Sequence, residues 1–412
     1  MRRTHQSRCS LRVAGRAVAI VALCLLLAPV TLAAPKYKVL HAFTGGLDGG
    51  GLYGGVVLGS PGKVFGGTSG GGDNGQGTIF MLTAVQGGRW QETVLHSFSL
   101  HYDGESPIGT LTSDAGGNLY GTTATGGAND LGTTFELSRN PFSVDAWSID
   151  VIYEVGSRSG LILDQAGNLY GPIGPGKYGG GAVTELSPGS GGWTETYLYS
   201  FCPKYHCVDG DGPDNPFTWD ANGDLYGATE GGGKGNLGVI FELERTANGW
   251  KEHVLHNFPA SATDGYDPDG GLTLDQKGNV YGTTSQGGSK GNGTVFQLTR
   301  GTDGRWKETI LYNFPDAFHN GGGADAGVIF DRAGNLYGTT PGGGDPNCQC
   351  GVVFKMTPGA NGKWTYSVLH RFTGADGFDP EAGLTLDSKG NIYGTTVAGG
   401  AGGAGVVFEI TP

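Results

Sequence analysis

The sequence predicts an all-β protein, a seven-bladed β-propeller of four-stranded antiparallel blades, and three observations carry that prediction. The motif GNLYGTT stands at residues 117–123 and again at 334–340, and its variants align Phe65, Tyr120, Tyr170, Tyr226, Tyr281, Tyr337 and Tyr393, seven copies roughly 55 residues apart. Each copy holds four short apolar or alternating runs parted by Gly, Asn and Asp clusters, and none keeps a 3.6-residue apolar period long enough for a helix. The last copy stops after its third run, and the chain from Tyr37 supplies a fourth.

Residues 271–314 show the elements in order. Strand a is GLTLD. The turn DQKGN follows, with an Asp whose carboxylate can bond backbone N–H groups and a Gly that tolerates positive φ. Strand b is NVYGTT and strand c GTVFQLT. On these strands Leu119 and Tyr120, or Val295 and Phe296, point to opposite faces, so both faces of each sheet need cover. Sheets packed face to face around an axis provide it. The Gly after each Tyr reads as room for a neighbouring blade's aromatic ring. Strand d is WKETILYNF, headed by Trp306 as others are by Trp90, Trp147, Trp193, Trp250 and Trp364, all read as packing residues rather than sugar platforms. The opening YKVLHAF matches strand d, so it is expected to pair with strand c at residues 405–410 and close the ring; a linear solenoid would leave that edge open.

Residues 1–33 carry arginines, then an apolar run of about 14 residues, then small residues, which reads as a cleaved secretory signal too short to span a membrane. Residues 34–412 are then the single propeller domain. Without Arg2, Arg3, Arg8, Arg12 and Arg16 the chain keeps 21 Lys+Arg against 38 Asp+Glu, a charge of about −17 that excludes a nucleic-acid partner. Although 82 of 412 residues are Gly, their register with the apolar residues means turns rather than disorder. Cys202, Cys207, Cys348 and Cys350 enter an oxidising compartment, with a Cys202–Cys207 disulfide expected across CPKYHC. Cys348 and Cys350 stand closer than bridged cysteines usually do, and their partners cannot be read from spacing.

The b–c and d–a loops share one face of the disc and are the longer and more variable, so a binding site is expected there. Several d–a loops are acidic: Asp209, Asp211 and Asp214; Asp264, Asp267 and Asp269; Asp376, Asp379 and Glu381. Carboxylates in Gly-rich loops suit calcium, though DGDGPD has Asp214 where an EF-hand needs Gly, and the alternative is that these residues only shape turns. The ring His41, His96, Tyr153, Tyr199, His256, Tyr312 and His370, one per strand d, interchanges His with Tyr and reads as partly buried packing. No nucleophile elbow, zinc-protease helix or phosphate loop occurs. Departures from the repeat are where asymmetric chemistry should be sought: Pro172, the loop YEVGSRSGL that lacks Asp-Gly, the insertion from Cys202 to Pro216, and the segment with His319.

Through LDQAGNLYG, GNLYGTT, GTVFQLT and WKETILYNF the chain, from Tyr37 to Pro412, closely resembles the GloVer tandem-repeat proteins, the choice-of-anchor family of exported bacterial proteins. The resemblance implies export, propeller-type repeats and, in many members, a C-terminal anchoring tail; here the sequence ends at Pro412, which points to a periplasmic, extracellular or loosely surface-associated monomer. A looser similarity runs to NHL and gluconolactonase-type propellers through the turn before strand b, but Gly-Thr-Thr replaces their continuation and no catalytic metal site is carried over. The expected function is a binding module for a protein or glycan at the b–c and d–a face. The alternatives are a calcium-assisted lyase or hydrolase acting on a polysaccharide or lactone, and a structural cell-surface repeat protein.

Overall fold

The computed structural model describes residues 34–140, 146–259, 263–315 and 320–412; the expected signal and His319 lie outside them. Seven four-stranded antiparallel sheets form a ring within Pro35–Pro412. Blades 1 to 6 span residues 57–97, 112–153, 162–200, 218–257, 273–313 and 329–371. Blade 7 takes strands a, b and c from Thr385–Leu386, Ile392–Thr396 and Val406–Thr411, and strand d from Lys36–Ala42. The two ends therefore share a sheet, in register from Lys36↔Thr411 to Ala42↔Val406.

The a–b turn behaves as its sequence suggests. In blade 5, Asp275 Oδ1 accepts from the N–H groups of Lys277 (2.8 Å) and Asn279 (3.0 Å), Oδ2 accepts from the Tyr281 hydroxyl (3.1 Å), and Gly278 takes φ 76°. Strand a is shorter than predicted, only Thr273–Leu274 in blade 5. The reason is crowding at the axis: a Cβ on Gly109, Gly160 or Gly327 would collide with the backbone of the adjacent blade.

The Gly of GTT is explained differently from expectation. It does face an aromatic ring, but that of its own blade: Gly66, Gly121, Gly227, Gly282, Gly338 and Gly394 pair in register with Phe80, Phe135, Phe241, Phe296, Phe354 and Phe408 on strand c. Each of these rings brings its Cζ end closest to its Gly and meets a Phe from the end of the previous blade's strand d, as in Phe43–Phe80 (4.9 Å between centroids) and Phe314–Phe354 (5.7 Å). The core is thus a series of Phe pairs between blades, all fully buried.

The two threonines of GTT have separate tasks. The second closes the b–c loop: Thr284 Oγ1 donates to Gln286 O (3.0 Å) and accepts from Thr294 N–H (3.1 Å). The first reaches the next blade: Thr122, Thr283, Thr339 and Thr395 donate to Ser159 O (3.1 Å), Ala326 O (2.9 Å), Ala382 O (3.0 Å) and Gly54 O (2.9 Å). These latches fix the backbone beside the channel. Blade 3, with Pro172 and Ile173 in place of the threonines, has none.

Candidate functional site

Four residues before each strand a, one side chain per blade stands at the mouth of the central channel: Tyr53, Ile108, Arg158, Asp214, Asp269, Asp325 and Glu381. They rim a cavity of about 440 Å³ to which all seven repeats contribute. The latched carbonyls of Gly54, Ser159, Ala326 and Ala382 belong to the residues that follow Tyr53, Arg158, Asp325 and Glu381, so GTT positions this ring directly. In blade 4 the side chain of Asn215, which follows Asp214, donates to Pro268 O (2.9 Å) instead. Two residues before the ring member the backbone is left-handed in most blades, at Ser106, Asp267 and Asp379 with φ 55°, 64° and 66°, a conformation Asp tolerates better than most residues. There its N–H bonds to the previous blade, as Asp379 does to Cys350 O (3.1 Å).

The seven backbone positions are alike and the chemistry is not. Blades 4 to 7 give four consecutive acids, and blades 1 to 3 give Tyr53, Ile108 and Arg158. Burial first, then the charges of Asp269, Glu381, Asp379 and Asp267, push Asp325 up to about 7. Burial and Asp379 bring Glu381 to about 7, and burial, opposed by a Ser285 hydrogen bond and aided by Asp267, brings Asp269 to about 6. Glu230, from the b–c loop of blade 4, is held at about 7 by burial and by Asp214, Asp269 and Asp267. Burial also raises Asp214, with Arg158 opposing. Near neutral pH the mouth therefore mixes protonated carboxyls, which donate, with carboxylates, which only accept.

A carboxyl pKa raised by folding makes the folded state bind more protons than the unfolded chain between about pH 4 and 7, so stability from these groups is full at the acid end and is lost as pH rises through that window. The thermal midpoint is expected to fall between pH 5 and pH 8. Asp325→Asn should raise it at pH 8, by about 2 kcal/mol in stability, and flatten the dependence. A flat wild-type profile, or a variant that follows the same slope, contradicts the assignment.

The acids singled out from sequence divide into two sets. Asp214, Asp269 and Glu381 join the mouth, with Asp267 and Asp379 just behind it, while Asp211 forms a backbone bridge with Gly231. Asp209, Asp264 and Asp376 sit farther out, against the His/Tyr ring of strand d: Tyr199 donates to Asp209 (2.8 Å), and His370 Nε2 lies 3.0 Å from Asp376. The ring residues are partly buried, as expected, but most have an acidic partner that packing alone does not describe. Asp325 and Arg158 were missed as site residues; alignment on strand a, rather than on the Asp-Gly loops, would have found both. Cys202–Cys207 and Cys348–Cys350 are disulfides, the second joining residues two apart, and both brace loops of the same face.

That face also carries most of the exposed apolar surface. Of the ten large hydrophobic residues exposed among the described residues, all but Val85 and Tyr197 lie in b–c or d–a loops, including Tyr53, Tyr102, Tyr178, Tyr205 and Phe378. Among the described residues no helix is long and apolar enough to cross a membrane.

The Gloeobacter/Verrucomicrobia repeat matches residues 28–206, 157–360 and 270–412. No curated protein shows significant sequence similarity to the chain. Among solved structures, an ancestral GH74 enzyme aligns over 88% of this chain and 48% of its own, at 13% identity and a TM-score of 0.58. A protein from Lactobacillus plantarum aligns over 82% of this chain and 96% of its own, at 14% identity and a TM-score of 0.51. A gluconolactonase from Xanthomonas campestris covers 72% of this chain and 82% of its own at 14% identity, with a TM-score of 0.41 that is too low to support an argument. At such identities the likeness is one of fold.

Proposed function

We propose, from the premise that the chain belongs to the Gloeobacter/Verrucomicrobia repeat family and folds as a seven-bladed propeller, that it is an exported binding module whose channel mouth takes a neutral or cationic carbohydrate chain. The observation that carries this reading is the ring of seven structurally equivalent but chemically unlike residues, in which Tyr53 and Ile108 share the cavity with the acids of blades 4 to 7. A hydroxyl-rich ligand needs donors and acceptors together, which carboxyls near their titration midpoint provide, and an aromatic face against which a sugar ring can lie. The negative mouth disfavours uronate or sulfate polymers. The disulfides and the want of a long apolar helix among the described residues are compatible with export. A purely structural surface protein would not call for such a cavity or for exposed aromatics gathered on one face.

Isothermal titration against neutral glucans, mannan and xylan, with chitosan and alginate as cationic and anionic comparisons, tests the proposal. Binding to a neutral polymer or chitosan but not alginate is expected, and Tyr53→Ala or Asp325→Ala should weaken it about tenfold, or about 1.4 kcal/mol. No carbohydrate binding, with capture of a protein instead, would overturn the glycan reading. The second reading, a lyase or hydrolase of a polysaccharide or lactone, is favoured by Asp325 and Glu381 titrating near 7, which suits a general acid. Release of reducing ends or lactone opening, lost in Asp325→Asn, would establish it, and dependence on added calcium would restore a metal to the acidic loops.

A further inference from the structure

We propose that the interface between blades 4 and 5 is a binding site for one divalent transition-metal ion of the zinc class, held by His256, Asp264 and Glu308. His256 lies on strand d of blade 4, Asp264 on the loop that follows, and Glu308 on strand d of blade 5. A β-bulge at Leu255 in the pairing with strand c immediately precedes His256 and re-aims its ring. His256 Nε2 stands 3.8 Å from Asp264 Oδ2 and 3.8 Å from Glu308 Oε2, and one ligand atom from each residue lies within 4.8 Å of the others. A tetrahedral ion with ligands at about 2.0–2.2 Å needs ligand atoms about 3.4 Å apart, so the site requires only a small contraction. His256 Nε2 and Glu308 Oε1 are buried and have no hydrogen-bond partner.

Equivalent positions elsewhere in the ring show why the gap is not an ordinary hydrogen bond. Where Ile149 or Tyr37 replaces the Glu, the His–Asp pair closes, to 2.5 Å in His96–Asp103 and 3.0 Å in His370–Asp376, and neither imidazole is left unpartnered. Where a Glu faces the pair, it opens, to 3.8 Å at His256 and to 3.5 Å in His41–Asp48 opposite Glu92, and Nε2 is orphaned in both. Two carboxylates directed at one buried gap repel unless a cation or a proton sits between them. One imidazole with two carboxylates suits zinc or manganese better than calcium, which takes six to eight oxygens. Only the 4/5 interface brings all three donors together among the described residues.

The test is a titration of the chelator-stripped protein with Zn²⁺, Mn²⁺ and Ca²⁺, read by calorimetry and by metal analysis of the dialysed protein. One Zn²⁺ or Mn²⁺ per chain is expected, at an affinity reduced at least 100-fold in Glu308→Gln and His256→Ala and unchanged in Glu92→Gln. Absence of binding below about 10 µM, equal loss in Glu92→Gln, or preference for Ca²⁺ overturns it. Should the variants not fold, Co²⁺ added to the wild-type protein decides: a visible spectrum of a four- or five-coordinate ion supports the site, and that of the hydrated ion removes it.

Discussion

Removal of residues 34–43 is expected to abolish cooperative folding. Those residues contain the whole of strand d of blade 7, six register pairs with Val406–Thr411, and the side chains of Leu40 and Phe43, which are 7% and 0% exposed. Phe43 is the ring that meets Phe80 of blade 1, so the loss unmakes a sheet and an inter-blade contact at once. Phe43→Ala alone should cost about 3–5 kcal/mol by the usual cost of deleting a buried aromatic. Losing the strand as well exceeds the roughly 5–15 kcal/mol that stabilises a typical domain and bares the edge of Val406–Thr411 for pairing with other chains. Circular dichroism melting and light scattering check this, and a peptide of residues 34–44 added in trans should restore part of the transition. A truncated protein that melts sharply within about two degrees of the full chain would show that the seam contributes little.

Gly338→Ala should be strongly destabilising for so small a substitution. A Cβ there would stand 2.6 Å from Phe354 Cζ, 2.9 Å from its Cε1 and 3.2 Å from Val328 Cγ1. The Phe354 ring has little room to withdraw, because it is fully buried and packs against Phe314. Overpacking of this kind costs about 1–3 kcal/mol, and the immobile neighbour puts this site at the upper end. Gly334→Ala, in the a–b turn of the same blade, is the comparison: its φ is +83° but nothing lies within 4 Å, so only backbone strain of about 1 kcal/mol is incurred. Urea melts of the two variants separate the cases, and equal costs would contradict the role given to the Phe.

The fold was readable because its signals are repeated: a period in Tyr and Trp, turn chemistry at Asp275 and its counterparts, and a first strand that completes the last sheet. The channel mouth was less so. Its members share a place in space, four residues before strand a, but no residue type, so a search by motif grouped Asp214, Asp269 and Glu381 by their Asp-Gly loops and passed over Asp325 and Arg158. The interchange of His with Tyr on strand d was read as a sign of packing; the deciding partner, a Glu on the adjoining blade, lies 52 residues further on between His256 and Glu308 and is invisible along one strand. The ring over Gly338 was expected from the neighbouring blade and comes from its own, because both own-blade and neighbouring-blade aromatics satisfy the same sequence pattern.

A closed circle of units has no terminal member with a naked face, so it cannot fray from its ends as a linear stack does. Here the join between the chain ends lies inside a continuous latched stretch, with Thr283, Thr339 and Thr395 tying blade 5 to 6, 6 to 7 and 7 to 1. The threonine tie is missing after blades 1, 3 and 4, where Gly67, Pro172 and Ala228 stand in its place. The Gly55 N–H donates to Thr110 Oγ1 across the first of these boundaries and Asn215 to Pro268 O across the last, while after blade 3 Gly171 faces Thr184 rather than a Phe and Pro172 interrupts the pattern. Partial opening, as sensed by amide exchange or by a protease, therefore starts in the middle of the polypeptide, and the termini become the last part of the circle to let go.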